Sequence, residues 1–263
     1  MVERTYKLNC PVSIALLADF HNGDPSPVIS SLQAHRPDLI AIAGDIIYGS
    51  QPKSEELVVK EQKNVLPLVA GCASIAPTFL SLGNHEWCLH ADDLALLAST
   101  GAVILDNTWI KHDGLVIGGL TSAFVTDYRR FVAALPTDVK AEKRYPRKDS
   151  LSGIEGLRTA TERVPEADWL EEYASVPGFH ILLDHHPEHL PFIPQGIQLI
   201  LSGHAHGGQW RVFNHGVFAP GQGWWPKYTK GVYEGRLVVS AGLSNTTWVP
   251  RIGNPTEIVY IMP

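Results

Sequence analysis

Five short apolar runs in this chain end on residue types that bind metal ions, and that repetition constrains the fold more than any other feature. Val12–Ala18 leads into Asp19-Phe20-His21, and Leu39–Ala43 leads into Gly44-Asp45. Thr78–Leu82 leads into Gly83-Asn84-His85-Glu86. Phe179–Leu183 leads into Asp184-His185-His186-Pro187, and Ile197–Ser202 into Gly203-His204-Ala205-His206-Gly207. Apolar runs of this length closed by Gly or Pro read as buried strands. In open α/β sheets, ligand sites lie just beyond the carboxyl ends of the strands. Five strands are therefore expected to deliver Asp, His and Asn to one rim. The donors are oxygen and nitrogen with no thiolate, which suits hard or borderline divalent ions.

The mixture has a chemical logic. A two-metal hydrolase holds its ions roughly 3.5–4 Å apart and clamps the attacking and leaving oxygens between them. A carboxylate supplies the bridge that this spacing needs. Neutral imidazoles limit the negative charge, so that an anionic substrate is still attracted. Asp-x-His and Gly-Asp are weak signals alone. Gly-Asn-His-Glu and Gly-His-Ala-His are rarer, and the ordered series is specific.

The series Asp19-x-His21, Gly44-Asp45, Gly83-Asn84-His85-Glu86, His185 and Gly203-His204-x-His206 resembles the calcineurin-like metallophosphoesterase superfamily. Gly207-Gly208-Gln209, Lys227-Tyr228-x-x-Gly231-Val232-Tyr233, Val238–Gly242 and Pro250-Arg251 resemble the bacterial phosphodiesterase subfamily that includes the YkuE- and YaeI-like proteins. Ala205 stands where that subfamily usually carries Thr, and Glu86 where it often carries Asp; neither departure is expected to touch a ligand. The resemblance implies a four-layer αββα sandwich, an α/β (α+β) fold with two central mixed sheets flanked by helices. It implies two divalent ions per chain, drawn from Mn, Fe, Zn, Co or Ni. Asp19, His21 and His206 would hold the first ion, and Asn84, His185 and His204 the second, with Asp45 bridging. It implies a phosphodiesterase with a metal-bridging hydroxide as nucleophile, and His85 as the group that protonates the leaving oxygen or stabilises charge on phosphate. Asp19 and His21 can both face one side if the backbone stays extended, and the same spacing recurs at His204 and His206. Asp24, Asp127 and Asp184 are candidate partners for the imidazoles.

Other residues are open to two readings. His186 either points away or lines the substrate pocket. Arg251 either contacts substrate phosphate or makes a structural salt bridge. Trp224 and Trp225 lie in a Gly- and Pro-rich loop; they either pack in the core or grip a base, sugar or acyl group. A phosphomonoesterase or pyrophosphatase would use the same donors. A non-catalytic binding scaffold would have lost some of them, and none is missing.

Composition narrows the partners. The chain has 263 residues, and donors that span residues 19 to 206 favour one domain over 1–263. A net charge of −6 argues against a nucleic-acid partner. A small-molecule or lipid-linked phosphoester is the expected substrate. The cysteines Cys10, Cys72 and Cys88 form no zinc or redox motif and read as small buried hydrophobes in a reducing compartment. No apolar stretch is long enough to span a bilayer, and the N-terminus lacks a signal core. Cytoplasmic location, with peripheral membrane contact, is the corresponding expectation.

The pattern predicts helices at Pro27–His35 with Ser26 as cap, at Ser54–Val69 and at Ala91–Ser99. Further strands are predicted at Ala102–Leu105, Leu115–Leu120, Gln209–Phe218, Arg236–Ala241 and Glu257–Ile261. Residues 124–166, with Lys140, Lys143, Arg144, Arg147 and Lys148, read as a helix-plus-loop surface insertion. Its cations are either a solvated cluster or a lid over substrate phosphate.

Overall fold

The computed structural model describes residues 1–49, 56–134, 167–212, 215–219, 223–245 and 250–263. Along the chain run β1 (Val2–Lys7), β2 (Ile14–Leu17), α1 (Ser26–His35), β3 (Leu39–Ala43), α2 (Val58–Glu61) and α3 (Val65–Ala73). Next come β4 (Thr78–Ser81), a 3₁₀ segment (Asn84–Cys88), α4 (Ala91–Ala98), β5 (Val103–Leu105), β6 (Thr108–His112), β7 (Leu115–Leu120) and α5 (Ala123–Ala134). Beyond residue 166 lie α6 (Trp169–Ser175), β8 (Phe179–Asp184) and β9 (Leu199–Ser202). Four two-residue strands follow: β10 (Arg211–Val212), β11 (His215–Gly216), β12 (Phe218–Ala219) and β13 (Gly223–Trp224). The chain ends with β14 (Gly231–Tyr233), β15 (Leu237–Val239) and β16 (Glu257–Met262).

Two mixed six-stranded sheets form, in the orders β1-β16-β2-β3-β4-β5 and β14-β15-β9-β8-β7-β6. Strands β2 to β5 are parallel, as are β7, β8, β9 and β15. Parallel strands covered on both faces are apolar throughout rather than alternating, and β2, β3 and β9 are buried at every position. The side chains still divide by parity. Ile14, Leu16, Leu39 and Ala41 meet Ile117, Ile181, Leu183 and Leu201 of the other sheet in one core. Ala15, Leu17, Ile40 and Ile42 face Val28 and Leu32 of α1 and Leu68 and Val69 of α3. On the far side of the second sheet, Val116, Leu182 and Ile200 pack against Leu170 and Tyr173 of α6. The layers are thus helix, sheet, sheet, helix, as the resemblance implies.

Local departures have physical causes. Ser26 does not cap α1; it is the first helical residue, and its N–H donates to the Asp24 carboxylate at 2.9 Å. The predicted helix at Ser54–Val69 is two helices, and Ser54 lies outside the described residues. The break falls where Gln62 and Asn64 are recruited by other loops. Gln62 Oε1 accepts from Tyr48 N–H at 2.7 Å, and Asn64 Nδ2 donates to Asn22 O at 3.0 Å. The predicted strand at Gln209–Phe218 is instead short paired segments, because Gly208 and Gln209 have φ of 74° and 38° and turn the chain. The first turns of the 124–166 region are helical, as the helix-plus-loop reading expects, but they are not purely a surface element. They belong to α5, whose Val125 and Tyr128 are buried in the core. Residues 135–166, including the predicted cation cluster, lie outside the described set.

Candidate metal centre

The candidate donors follow the ends of β2, β3, β4, β8 and β9, the expected rim, but their backbone is not extended. Asp19, His21, Asp45, His204 and His206 have φ of 52°, 44°, 54°, 66° and 46°. The expectation that Asp19 and His21 share a face through extended geometry is therefore corrected. A left-handed turn brings them together instead. Non-glycine residues adopt this region rarely, and Asp, Asn and His most readily. The loops after β2 and β3 hold each other in this shape. Asp19 N–H donates to Gly44 O at 3.2 Å, and His21 N–H to Asp45 O at 3.1 Å.

Two donor groups form. Asp19, His21 and His206 each present a ligand atom within 4.8 Å of the others, and so do Asp45, His185 and His204. His206 Nε2 lies 3.5 Å from Asp19 Oδ1, and His21 Nε2 lies 3.9 Å from it. Asp45 Oδ2 is 3.0 Å from His185 Nε2 and 3.8 Å from His21 Nε2, so one carboxylate oxygen reaches into both groups. Asn84 Oδ1 and the Nε2 atoms of His21, His185 and His204 are buried with no hydrogen-bond partner. Buried polar atoms are ordinarily satisfied, and cations at the two donor groups would give these atoms partners. The opposite ring nitrogens are fixed: His21 Nδ1 sits 3.0 Å from Ile47 O, and His185 Nδ1 2.7 Å from Ala43 O. This is the arrangement that directs Nε2 toward a metal.

The electrostatics of the bare site point the same way. Burial holds His21 and His206 down to about 3, so both are neutral ligands at ordinary pH. Burial opposes charge on His185 too, but the Asp45 and Asp19 carboxylates outweigh it and raise that imidazole to about 10. Asp45 is held well below the usual carboxylate range despite burial, because His185 and His85 favour its charge. Burial and the neighbouring Asp45 raise Asp19. A divalent ion would displace the His185 proton, as metal binding to imidazole does.

His85 differs from the other imidazoles. Its side chain is 32% exposed, and its Nε2 stands 3.9 Å from Asp45 Oδ2. Gly49 N–H donates to His85 Nδ1 at 2.8 Å. The proton of the neutral ring is thereby placed on Nε2, the side toward Asp45.

Glu86 was expected not to touch a ligand, and that expectation is corrected. It is fully buried, and its carboxylate accepts from the N–H groups of Gly83 (2.7 Å), Asp45 (2.8 Å) and Ile46 (2.8 Å). Burial and the Asp45 charge push it up to about 7, against the pull of these donors. Glu86 thus shapes the turn that presents Asp45. Its place in the Gly-Asn-His-Glu motif was visible in the sequence; its target across the rim was not. Gly83 is required nearby for a different reason, since a Cβ there would lie 2.3 Å from Asp45 Oδ1.

The remaining candidates scatter around this centre. His186 is buried, its ring 4.3 Å from that of His204 and its Nε2 2.9 Å from Ser122 Oγ. Arg251 braces a loop: it donates to Ala241 O at 2.7 Å and to Ser244 O, and lies 3.1 Å from His206 Nδ1. Trp224 and Trp225 are 65% and 69% exposed, so core packing is ruled out for them. They sit at the end of the β12–β13 hairpin, and β12 packs on the segment His206–Gly208. Asp184 accepts from His186 N–H and lies 3.1 Å from His189 Nδ1. Asp24 serves α1, and Asp127 lies 3.4 Å from Arg130 Nη1. The three cysteines are buried thiols.

A sequence profile of calcineurin-like phosphoesterases matches residues 12–208, the stretch that contains every candidate donor. Two uncharacterized metallophosphoesterases of Helicobacter pylori, from strains J99 and 26695, are each 24% identical over 97% of this chain. The chain spans 60% of the length of these curated relatives. Among solved structures, a cold-active protein-tyrosine phosphatase of a Shewanella species aligns with 13% identity over 90% of this chain and 72% of that one, at a TM-score of 0.34. GAP50, the anchor in the inner membrane complex of Plasmodium, aligns with 12% identity over 73% and 65%, at a TM-score of 0.33. The profile match covers most of the sequence and ends just past the last donor loop, and on that ground the chain belongs to the calcineurin-like phosphoesterase family.

Proposed function

We propose that this chain hydrolyses phosphoric esters at a dinuclear divalent-metal centre and that diesters are its preferred class. The observation that carries the reading is Asp45, whose Oδ2 reaches both His185 Nε2 and His21 Nε2. Asp19, His21 and His206 would hold one ion, and Asn84, His185 and His204 the other. Two such ions would supply Lewis acidity toward phosphoryl oxygens and an activated water near neutral pH. Only Asp19 and Asp45 among these donors carry negative charge. The loaded centre would therefore be net positive and attract a phosphate anion.

The protein's own groups have separable tasks. His85 accepts from the Gly49 N–H at Nδ1 and so presents Nε2–H as a hydrogen-bond donor, which would stabilise the charge that builds on the leaving or phosphoryl oxygen. Its partial exposure leaves it open to a substrate. Arg251 steadies His206 and the Ala241–Ser244 loop rather than reaching a phosphate. Trp224 and Trp225 offer exposed apolar surface for the second substituent of a diester. The tail segments that resemble a diesterase subfamily support the same preference.

The test is a matched assay of bis(p-nitrophenyl) phosphate against p-nitrophenyl phosphate with Mn²⁺ at neutral to mildly alkaline pH. A higher kcat/KM for the diester is expected. A higher value for the monoester would reassign the chain to phosphomonoesters.

A further inference from the structure

A second donor set shares one residue with the proposed centre. His186, Glu188 and His204 bring three ligand atoms within 4.8 Å of one another. Glu188 Oε1 lies 3.7 Å from His204 Nε2 and 3.5 Å from His186 Nδ1. His186 and His204 are both buried. His186 Nδ1, His204 Nε2 and Glu188 Oε2 are all buried without hydrogen-bond partners. The Ser122 hydroxyl at His186 Nε2 fixes that ring with Nδ1 turned toward Glu188. Family resemblance assigns no role to Glu188 and none as a ligand to His186.

A ring nitrogen has one lone pair in the plane of the ring. His204 Nε2 can therefore ligate one ion at a time. The set Asp45–His185–His204 and the set His186–Glu188–His204 exclude each other at that atom. Both offer nitrogen and oxygen donors suited to the same divalent ions. The Glu188 side chain is 23% exposed, whereas those of His185 and Asp45 are at most 2% exposed. The second set is thus the more open of the two.

We propose that His186, Glu188 and His204 form an alternate position for the second divalent ion, mutually exclusive with its position on Asp45, His185 and His204. This rests on the metal-centre reading above. An ion arriving from solvent meets Glu188 first, is held with His186 and His204, and then passes to Asp45 and His185 without releasing His204. Glu188 and His186 are in this scheme loading ligands, and they also give the ion a retreat when the inner donors are lost.

The test is Zn²⁺ titration of metal-free protein, wild type and the variants His185→Ala, Glu188→Gln and His185→Ala/Glu188→Gln, with folding followed by far-UV circular dichroism. Wild-type stoichiometry tests the dinuclear reading by itself; the Glu188 comparison tests the shared position. In the His185→Ala background, Glu188→Gln should weaken the second ion by about tenfold or more, the usual scale for a lost supporting ligand. A change below about twofold in that background would overturn the proposal. If His185→Ala does not fold, wild-type crystals soaked at limiting Zn²⁺ decide it by anomalous scattering. A peak roughly 2.1 Å from His186 Nδ1 and Glu188 is expected. Density confined to the Asp45–His185–His204 position would refute it.

Discussion

Gly83→Ala should damage both metal positions with a single methyl group. The added Cβ would lie 2.3 Å from Asp45 Oδ1, 2.8 Å from Asp45 N and 2.9 Å from His185 Cγ. Real Cβ contacts essentially never fall under 3.0 Å, so the Asp45 oxygen must retreat by at least 0.7 Å, the difference between 3.0 and 2.3. That oxygen has little freedom, because it accepts from His85 N–H at 2.8 Å while Oδ2 faces His185 Nε2 at 3.0 Å. Overpacking of this kind costs about 1–3 kcal/mol. A displacement near 1 Å at a catalytic group can cost roughly 10²-fold in rate. The variant should therefore fold with a lowered urea midpoint, bind both ions more weakly and lose about two orders of magnitude in kcat. Denaturation, elemental analysis and diester turnover are measured on one preparation. A variant that keeps two ions and stays within about threefold of wild-type kcat would show that the rim yields to the methyl group, and the close-packing argument would be wrong.

Three further outcomes follow from the same geometry. Asp45→Ala should lower the occupancy of both ions, while Asn84→Ala should mainly weaken one; at most one ion in metal-replete wild-type protein contradicts the dinuclear centre. His85→Ala should retain both metals and lose about 10²–10³ in kcat, the scale of one lost donor to developing charge, and less for leaving groups on which little charge builds; turnover near wild type would reduce His85 to a packing residue. The metal-free protein should lose stability on acidification from pH 6.5 toward 3, because unfolded His21 and His206 bind protons there that the folded state, with both held at about 3, refuses. The slope is at most about 1.4 kcal/mol per pH unit for each histidine. His185, raised to about 10, stabilises below pH 6.5 and loses that contribution as pH rises through 10. A urea midpoint that stays flat between pH 6.5 and 4 rejects this account.

The convergence of the candidate donors was legible because each follows an apolar strand, and strand ends are where open sheets put ligands. The means of convergence were not. Nothing local in Asp-x-His announces a φ near 50°, since the turn is imposed by bonds from Asp19 and His21 to the neighbouring loop at Gly44 and Asp45. Glu86 hid for the same reason: its acceptor role is defined by backbone groups some forty residues earlier in the chain. Gln62 and Asn64 broke a helix that their own propensities allow, because their side chains pair with loop backbone at Tyr48 and Asn22. Helix α6 lacks a strong sequence signal and is held by the burial of Leu170 and Tyr173. Periodicity reports which face of a segment is apolar. It does not report which distant N–H lacks an acceptor.

The left-handed turns also say what this chain has kept against its own stability. Asp19, His21, Asp45, His204 and His206 occupy a region where glycine would sit without steric cost. For other residues each such position costs on the order of 1–3 kcal/mol, so together they rival the net stability of about 5–15 kcal/mol typical of a folded protein. Glycine at any one of them would relieve that strain at the loss of a candidate donor. Each of the five instead carries a carboxylate or an imidazole, so the strain falls on the candidate donors. On the proposed reading, that strain belongs to the metal centre itself and would be the same whichever ester it acted on.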